Sequence, residues 1–260
     1  MKYINEEDRA AVLAQTLAEG ETFSFACHEG LTCFTQCCRN LNLFLYPYDV
    51  LRLKNGLGVS SEEFLDTYTD MVMRAGNHFP DVLLRMSDNE EKTCPFLADS
   101  GCAVYPDRPD TCRTFPLEQG IIFEGGAGKA RDVYIFRPPD FCLGQYESRT
   151  WTTQSWAEDQ EAVTYHEMTI RWSEVKALFQ SDPWGAEGPS GAKAKMSLMA
   201  TYNLDRFREF VFHSTFLKRY KVKKEALKRI GSNEEALLRF GLEWVKFFLW
   251  GIRSRHIRVR

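Results

Sequence analysis

Cysteine is the residue type here whose number and spacing could do chemistry. The chain has 260 residues and eight cysteines, all of them in the first 142 positions. Cys27, Cys33, Cys37 and Cys38 fall within a dozen residues, and Cys94, Cys102, Cys112 and Cys142 follow. A chain of this length buries a core of its own and needs no disulfide staples, so a one-sided group of thiols calls for a chemical reason. Thiolates are soft, polarizable donors whose charge offsets that of zinc, iron or copper. Metal binding by convergent thiolates is therefore the leading expectation.

The spacing is Cys27-x5-Cys33-x3-Cys37-Cys38, then Cys94-x7-Cys102-x9-Cys112, then Cys142. No pair has the C-x2-C spacing of a zinc knuckle, so the ligands must come from several loops. The adjacent side chains of Cys37 and Cys38 point in different directions and suit two neighbouring metals, or one metal and a free thiol. Eight thiolates complete two four-cysteine sites, or one cluster with supporting cysteines. A vicinal disulfide fits badly, because disulfide geometry is specific. Eight inert core thiols fit badly beside Arg39, Arg108 and Arg113.

Other candidates are weaker. His28 is an alternative ligand to Cys27, since imidazole suits zinc and iron. Asp49 and Arg113 could orient ligands by hydrogen bonds, or form ordinary structural ion pairs. His78, His166, His213 and His256 are isolated in sequence and read as surface or satisfied core residues. Glu124-Gly-Gly-Ala-Gly128 partly matches a turn that binds S-adenosylmethionine. Such a turn should lead into a helix, and this one leads into the strand pattern Arg131-Asp-Val-Tyr-Ile-Phe136. A hairpin turn is the better reading.

These groups must be positioned by the elements around them. The pattern predicts a helix over 5–19, a helix from Pro47 stopped by Gly56 or Gly58, and a helix capped by Ser60 with Glu63. A short strand is expected over 82–86. Residues 94–116 are rich in Pro, Asp and Gly and read as loops with at most a short helix near Pro109. The runs 121–123 and 133–136 predict a β-hairpin. Beyond Cys142 the pattern is helical: one long segment over 153–179, a linker-like 182–191, and three helices over 203–218, 222–230 and 233–252. Leu237, Phe240, Trp244 and Phe248 recur at helical spacing, as core residues do.

The net charge of −3 hides an asymmetry, for Lys218–Arg260 carries thirteen Lys and Arg against four Glu. A solvated helix face with a frayed end is the expected reading of this basic tail, and nucleic acid is not expected as a partner. No leader with an apolar run precedes the first helix, and no apolar stretch approaches the ~20 residues that cross a bilayer. The expected location is a reducing cytoplasm, where thiol clusters are metal sites or catalytic groups rather than disulfides.

Cys37-Cys38-Arg39-Asn40, Tyr46-Pro-Tyr-Asp49 and the run Cys94-Pro-Phe-Leu, Gly101-Cys102-Ala-Val-Tyr105-Pro-Asp-Arg108-Pro109-Asp-Thr-Cys112-Arg113-Thr-Phe-Pro116 together resemble the YkgJ-type cysteine-cluster family, a zinc- or iron-chelating domain with a CxxCxxCC-like signature. The resemblance covers about residues 27–142. It implies Cys33, Cys37, Cys38, Cys94, Cys102 and Cys112 as ligands, with Cys142 as a late cysteine of the family. The first motif is more widely spaced here, which separates Cys27 from that pattern. Flagellin lysine methylases resemble the same family.

The expected fold is α+β and helix-dominated: a loop-rich cysteine-cluster domain with a β-hairpin over 1–148, and a helical region over 149–260. The expected function is to hold an iron-sulfur cluster, or else zinc (Zn2+), as a redox or metal-handling module; a protein partner is compatible with it. The alternative is a cluster-containing, S-adenosylmethionine-dependent methyltransferase acting on protein lysine. The pattern leaves open which of these two classes applies.

Overall fold

The structure is a computed structural model that describes residues 2–3, 6–123 and 130–260, with side chains from Ala10 onward. The fold is α+β and dominated by helices: eleven α-helices and twelve short strands among the described residues. The sheets have two or three strands each. Two compact units form, and each is built from two stretches of chain. One takes the residues up to Leu43 and Arg85–Ser173; the other takes Phe44–Leu84 and Glu174–Arg260. All eight cysteines lie in the first.

The first unit is organised by the expected hairpin, Leu117–Phe123 paired with Ala130–Phe136 in register from Leu117↔Phe136 to Phe123↔Ala130. The Glu124–Gly128 segment lies outside the described residues. The chain beyond it enters a strand, where a nucleotide-binding turn requires a helix. Lys2–Tyr3 adds in parallel against Gly120–Ile121. A separate antiparallel pair joins Thr22–Ser24 to Thr150–Thr152. Phe23, Phe25, Leu117, Cys142, Trp151 and Trp156 pack into the core between these elements. The two tryptophans find acceptors for their indole N–H groups, Trp151 on the Phe25 carbonyl at 2.8 Å and Trp156 on that of Thr114 at 3.0 Å. Large rings thus become affordable in a buried position.

The second unit contains Pro47–Leu57, whose start is fixed by Asp49 accepting from the Tyr46 amide at 2.8 Å and whose end is Gly58 at φ 69°. Proline at the first helical position loses no bond, since amides there have no partner within the helix. Ser61–Tyr68 follows, with Ser60 accepting from Glu63. The stripe on Glu234–Trp250 is core: Leu237, Phe240 and Trp244 are buried, and Phe207 and Phe216 pack on Trp244.

Several expectations change. The first helix is Glu6–Leu13 rather than 5–19, because the chain leaves it so that the Leu17 amide can reach the Tyr134 carbonyl at 2.8 Å. The long segment over 153–179 is two helices, Thr153–Asp159 and Val163–Leu178. Glu161 sits between them at φ 52°, and the Gln160 carbonyl is given to Arg113 at 2.5 Å. Residues 182–191 are not a loose linker, since Trp184 is buried against the stacked pair Phe79 and Phe179 and its indole donates to the His78 carbonyl. A helix at Ala192–Thr201 has no counterpart in the sequence reading. The C-terminal end is not frayed: Ile257–Val259 pairs antiparallel with Tyr220–Val222, and Ile257 is buried. Among the described residues no helix is long and apolar enough to cross a membrane.

Candidate metal centre

The loop bearing Cys27, Cys33, Cys37 and Cys38 leaves the strand Thr22–Ser24 and is pinned at once to a distant segment. Phe25 donates to the Arg149 carbonyl at 2.8 Å and Ala26 to that of Gly144 at 3.1 Å. Gly144 allows this approach. A Cβ there would stand 2.4 Å from the Ala26 carbonyl oxygen and 2.8 Å from the Phe25 ring, where no side chain fits. Cys142 and Leu143 are thereby carried to the loop, and the Leu143 amide donates to Cys33 Sγ at 3.2 Å.

The loop then turns through successive tight bonds into a short 3-10 helix, Gln36–Cys38, entered through Thr35 at φ 63°. Its far side is tied to the second cysteine group. The Cys94 amide donates to the Cys38 carbonyl at 2.8 Å, Asn40 to that of Lys92 at 2.9 Å, and Arg39 pairs with Glu91 at 3.1 Å. A small antiparallel pair, Leu97–Ala98 with Gly101–Cys102, brings Cys102 back towards Cys94. Tyr105–Asp107 and the helix Asp110–Thr114 follow, the latter carrying Cys112.

Electrostatics show which sulfurs share one neighbourhood. Burial pushes Cys27 up to about 11, and the thiols of Cys37, Cys142 and Cys33 push in the same direction. Cys37 is raised by its hydrogen bond with Cys38, then by burial, and is partly relieved by Arg39. Burial raises Cys94 and Cys102 as well, with Cys37 contributing to both. Cys142 is raised by burial and then by Cys33 and Cys37. Cys37 is thus felt by Cys27, Cys94, Cys102 and Cys142 alike. Arg108, stacked 3.7 Å above the Tyr105 ring, faces both Cys102 and Cys112.

Opposing this repulsion, backbone amides are aimed at the sulfurs. Phe96 donates to Cys94, Val104 to Cys102, and Gly144 to Cys142, each lowering its thiol. Together with Leu143 on Cys33 and the Cys37 amide on its own sulfur, five of the eight sulfurs have an N–H directed at them. Amide donors of this kind favour the anionic thiolate and hold a ligand's orientation. The donor set therefore suits a soft cation. No disulfide joins the cysteines. Among the described residues, no three Cys, His, Asp or Glu side chains already stand together as a metal cage.

The accessory candidates fall elsewhere. Asp49 belongs to the other unit and serves as a helix cap. His28 is half exposed and lies 3.8 Å from Glu147. Arg113 is buried, donates to the carbonyls of Gln160 and Pro106, and stacks 4.3 Å from the Tyr165 ring. It fixes the helix that carries Cys112. His166 is not isolated: its Nδ1 lies 2.8 Å from the Tyr134 hydroxyl, and its Nε2 3.5 Å from Asp110. Tyr134 spends its proton on Asp132 at 2.5 Å, so His166 must donate from Nδ1. Burial raises the Asp110 carboxyl, against the pull of His166 and Thr169. The amides on the sulfurs had one visible signal, a residue two positions after Cys94, Cys102 and Cys142. Gly144 was the only one of these marked by its type.

Residues 26–143 match the model of a family described as "CxxCxxCC: Putative zinc- or iron-chelating domain". That stretch of the chain is similar to the CxxCxxCC family. Comparison with curated proteins and with solved structures finds no match. The CxxCxxCC segment begins and ends at the two pieces that Gly144 holds together, Ala26–Cys27 and Cys142–Leu143. The match supports metal binding in the general sense that the family description gives.

Proposed function

We propose that this chain binds iron, as an iron-sulfur cluster, through the thiolates of the CxxCxxCC domain. Cys33, Cys37, Cys94, Cys102 and Cys142 form the inner set, with Cys27, Cys38 and Cys112 at its border. The observation that carries this reading is the set of backbone amides directed at Cys33, Cys94, Cys102 and Cys142. Hydrogen bonds to sulfur are one of the means by which a protein stabilises a cluster and sets its potential. Ligands from four separate loops suit a multinuclear centre better than the single turn of a zinc knuckle. A bound cluster would supply electron transfer or a structural brace. The protein's own part is to bury the thiols, to supply the amides and, through Arg39 and Arg108, to offset negative charge.

Anaerobic purification followed by elemental analysis and a visible spectrum tests this. Stoichiometric iron and sulfide with broad absorption near ~400 nm support the cluster. A colourless protein holding zinc overturns the choice of iron while leaving the thiolate site standing. Protein free of any metal after reconstitution with either overturns both.

A further inference from the structure

The C-terminal strand creates a feature that neither strand shows alone. Tyr220–Val222 and Ile257–Val259 pair so that Lys221 lies directly opposite Arg258. The ladder continues at both ends: Arg260 donates to the Arg219 carbonyl at 3.0 Å, and Lys223 to that of His256 at 3.1 Å. Residues alternate in facing along a strand, so the pairs Arg219/Arg260, Lys221/Arg258 and Lys223/His256 share one side of the ribbon. All six are exposed, whereas Val222 and Ile257 on the other side are buried.

Like charges directly opposite each other destabilise an antiparallel pair. This ribbon has two such permanent pairs in succession and a third completed by a histidine. Among the described residues relief comes only at the histidine end, where Glu243 meets His256 at 2.8 Å. Among the described residues Arg219, Lys221, Lys223, Arg258 and Arg260 have no ion pair. Several exposed arginines are matched to carboxylates, as Arg149 is to Asp159, Arg171 to Glu167 and Arg206 to Glu62, whereas the exposed Arg229, Arg253 and Arg255 near the ribbon in sequence are, among the described residues, as unmatched as it is. A row of unmatched cations held against their own repulsion is the kind of local rule-breaking that marks a binding surface.

We propose that this ribbon is a nucleic-acid binding face, which holds successive phosphates of one strand without reading bases. Same-side residues along a strand repeat at roughly 7 Å, so the row offers evenly spaced cations along a line of about 14 Å. That linear form suits a polyphosphate backbone, whose binding is dominated by such contacts. A lipid surface fits less well. The cationic side holds no apolar group to insert, and the exposed Val259 lies on the opposite side of the ribbon.

The test is fluorescence anisotropy of the full chain with a labelled mixed-sequence single-stranded oligonucleotide of about 20 residues, over a range of salt. With some four to five phosphates neutralised, log affinity should fall against log salt with a slope of about −3. Lys221→Glu is the decisive variant, because it turns a like-charge pair into an opposite-charge pair with Arg258. The melting temperature should hold or rise, while affinity drops about tenfold or more and the slope shrinks by at least one. Absence of binding at 50 mM salt, or binding indifferent to Lys221→Glu, overturns the proposal. So does capture by phosphatidylserine vesicles without oligonucleotide binding, or competition by polyglutamate that equals the oligonucleotide charge for charge.

Discussion

The backbone amide of Leu143 points at the sulfur of Cys33 from 3.2 Å, across 110 residues of sequence. This contact joins the last cysteine segment to the first, and it depends on Gly144 lying flat against Ala26. The candidate centre is therefore sensitive to backbone positions that carry no ligand.

Replacing Gly144 by alanine should show this. A Cβ set 2.4 Å from the Ala26 carbonyl oxygen forces the two segments apart. A loss of about 1–3 kcal/mol is expected, together with reduced metal content. Gly241→Ala is the control: its Cβ would meet the Ala200 carbonyl oxygen at 2.1 Å in the unit without cysteines. That variant should melt earlier yet keep its metal-to-protein ratio in the folded fraction, as elemental analysis would report.

Cys37→Ser is expected to be the most damaging single cysteine change, since Cys27, Cys94, Cys102 and Cys142 all feel that thiol. Metal content and melting temperature should fall together, because a site built on loops is ordered largely by its metal. Cys112→Ser should act in the same direction. Cys27, exposed as a residue although its thiol is partly desolvated by burial, should tolerate serine best. Unchanged metal stoichiometry in Cys37→Ser would remove it from the ligand set.

The metal-free protein should lose stability as pH rises from about 9 to 11. Burial and the neighbouring thiols lift Cys27 from 9.0 to about 11, so in this window the unfolded thiol has ionised while the folded one still holds its proton. The folded state then binds more protons than the unfolded, and stability declines with pH. Below 9 the penalty is absent. Thermal melts in chelator at pH 8 and pH 10.5 would show the difference, and metal loading should abolish it, since ligation replaces the proton.

Arg113→Met should cost roughly 3 kcal/mol. The methionine fills the space of the stem but leaves the carbonyls of Gln160 and Pro106 without their donor, at about 1–3 kcal/mol for a buried unsatisfied group. Chemical denaturation measures it. The helix that carries Cys112 should loosen as well, visible as faster labelling of that thiol in the metal-free protein.

Deleting residues 253–260 should lower the melting temperature, by the equivalent of about 1.5–3 kcal/mol for the buried Ile257 alone. A truncated protein that melts as the full chain does would show that the ribbon adds nothing to stability.

What was legible in the sequence and what was not divide along physical lines. The hairpin Leu117–Phe123/Ala130–Phe136, the cap at Ser60 and the stripe Leu237, Phe240, Trp244 are local patterns, and they stand where periodicity and turn chemistry place them. Thr22–Ser24 and Ile257–Val259 are three residues each and exist only because a distant partner supplies their hydrogen bonds. No local signal announces such a strand. The thiols were visible by their type. The amides of Phe96, Val104 and Leu143 were not, because every residue has an amide and only the fold decides where it points. Trp184 misled for a related reason: the Pro- and Gly-rich stretch around it resembles a linker until its ring finds Phe79 and Phe179.

The interleaving of the two units bears on how such a gene could be cut and recombined. The cysteine-bearing unit needs Trp151 and Trp156, which lie past the end of the CxxCxxCC segment, and it is interrupted by Phe44–Leu84, which builds the other unit. A fragment taken at 26–143 would carry every thiol but forfeit the strand Thr150–Thr152 and both tryptophans, while retaining forty-one residues cut off from the helices Leu204–His213 and Glu234–Trp250 on which they pack. Neither unit is one contiguous stretch of sequence, so neither can be excised or grafted as a single uninterrupted fragment.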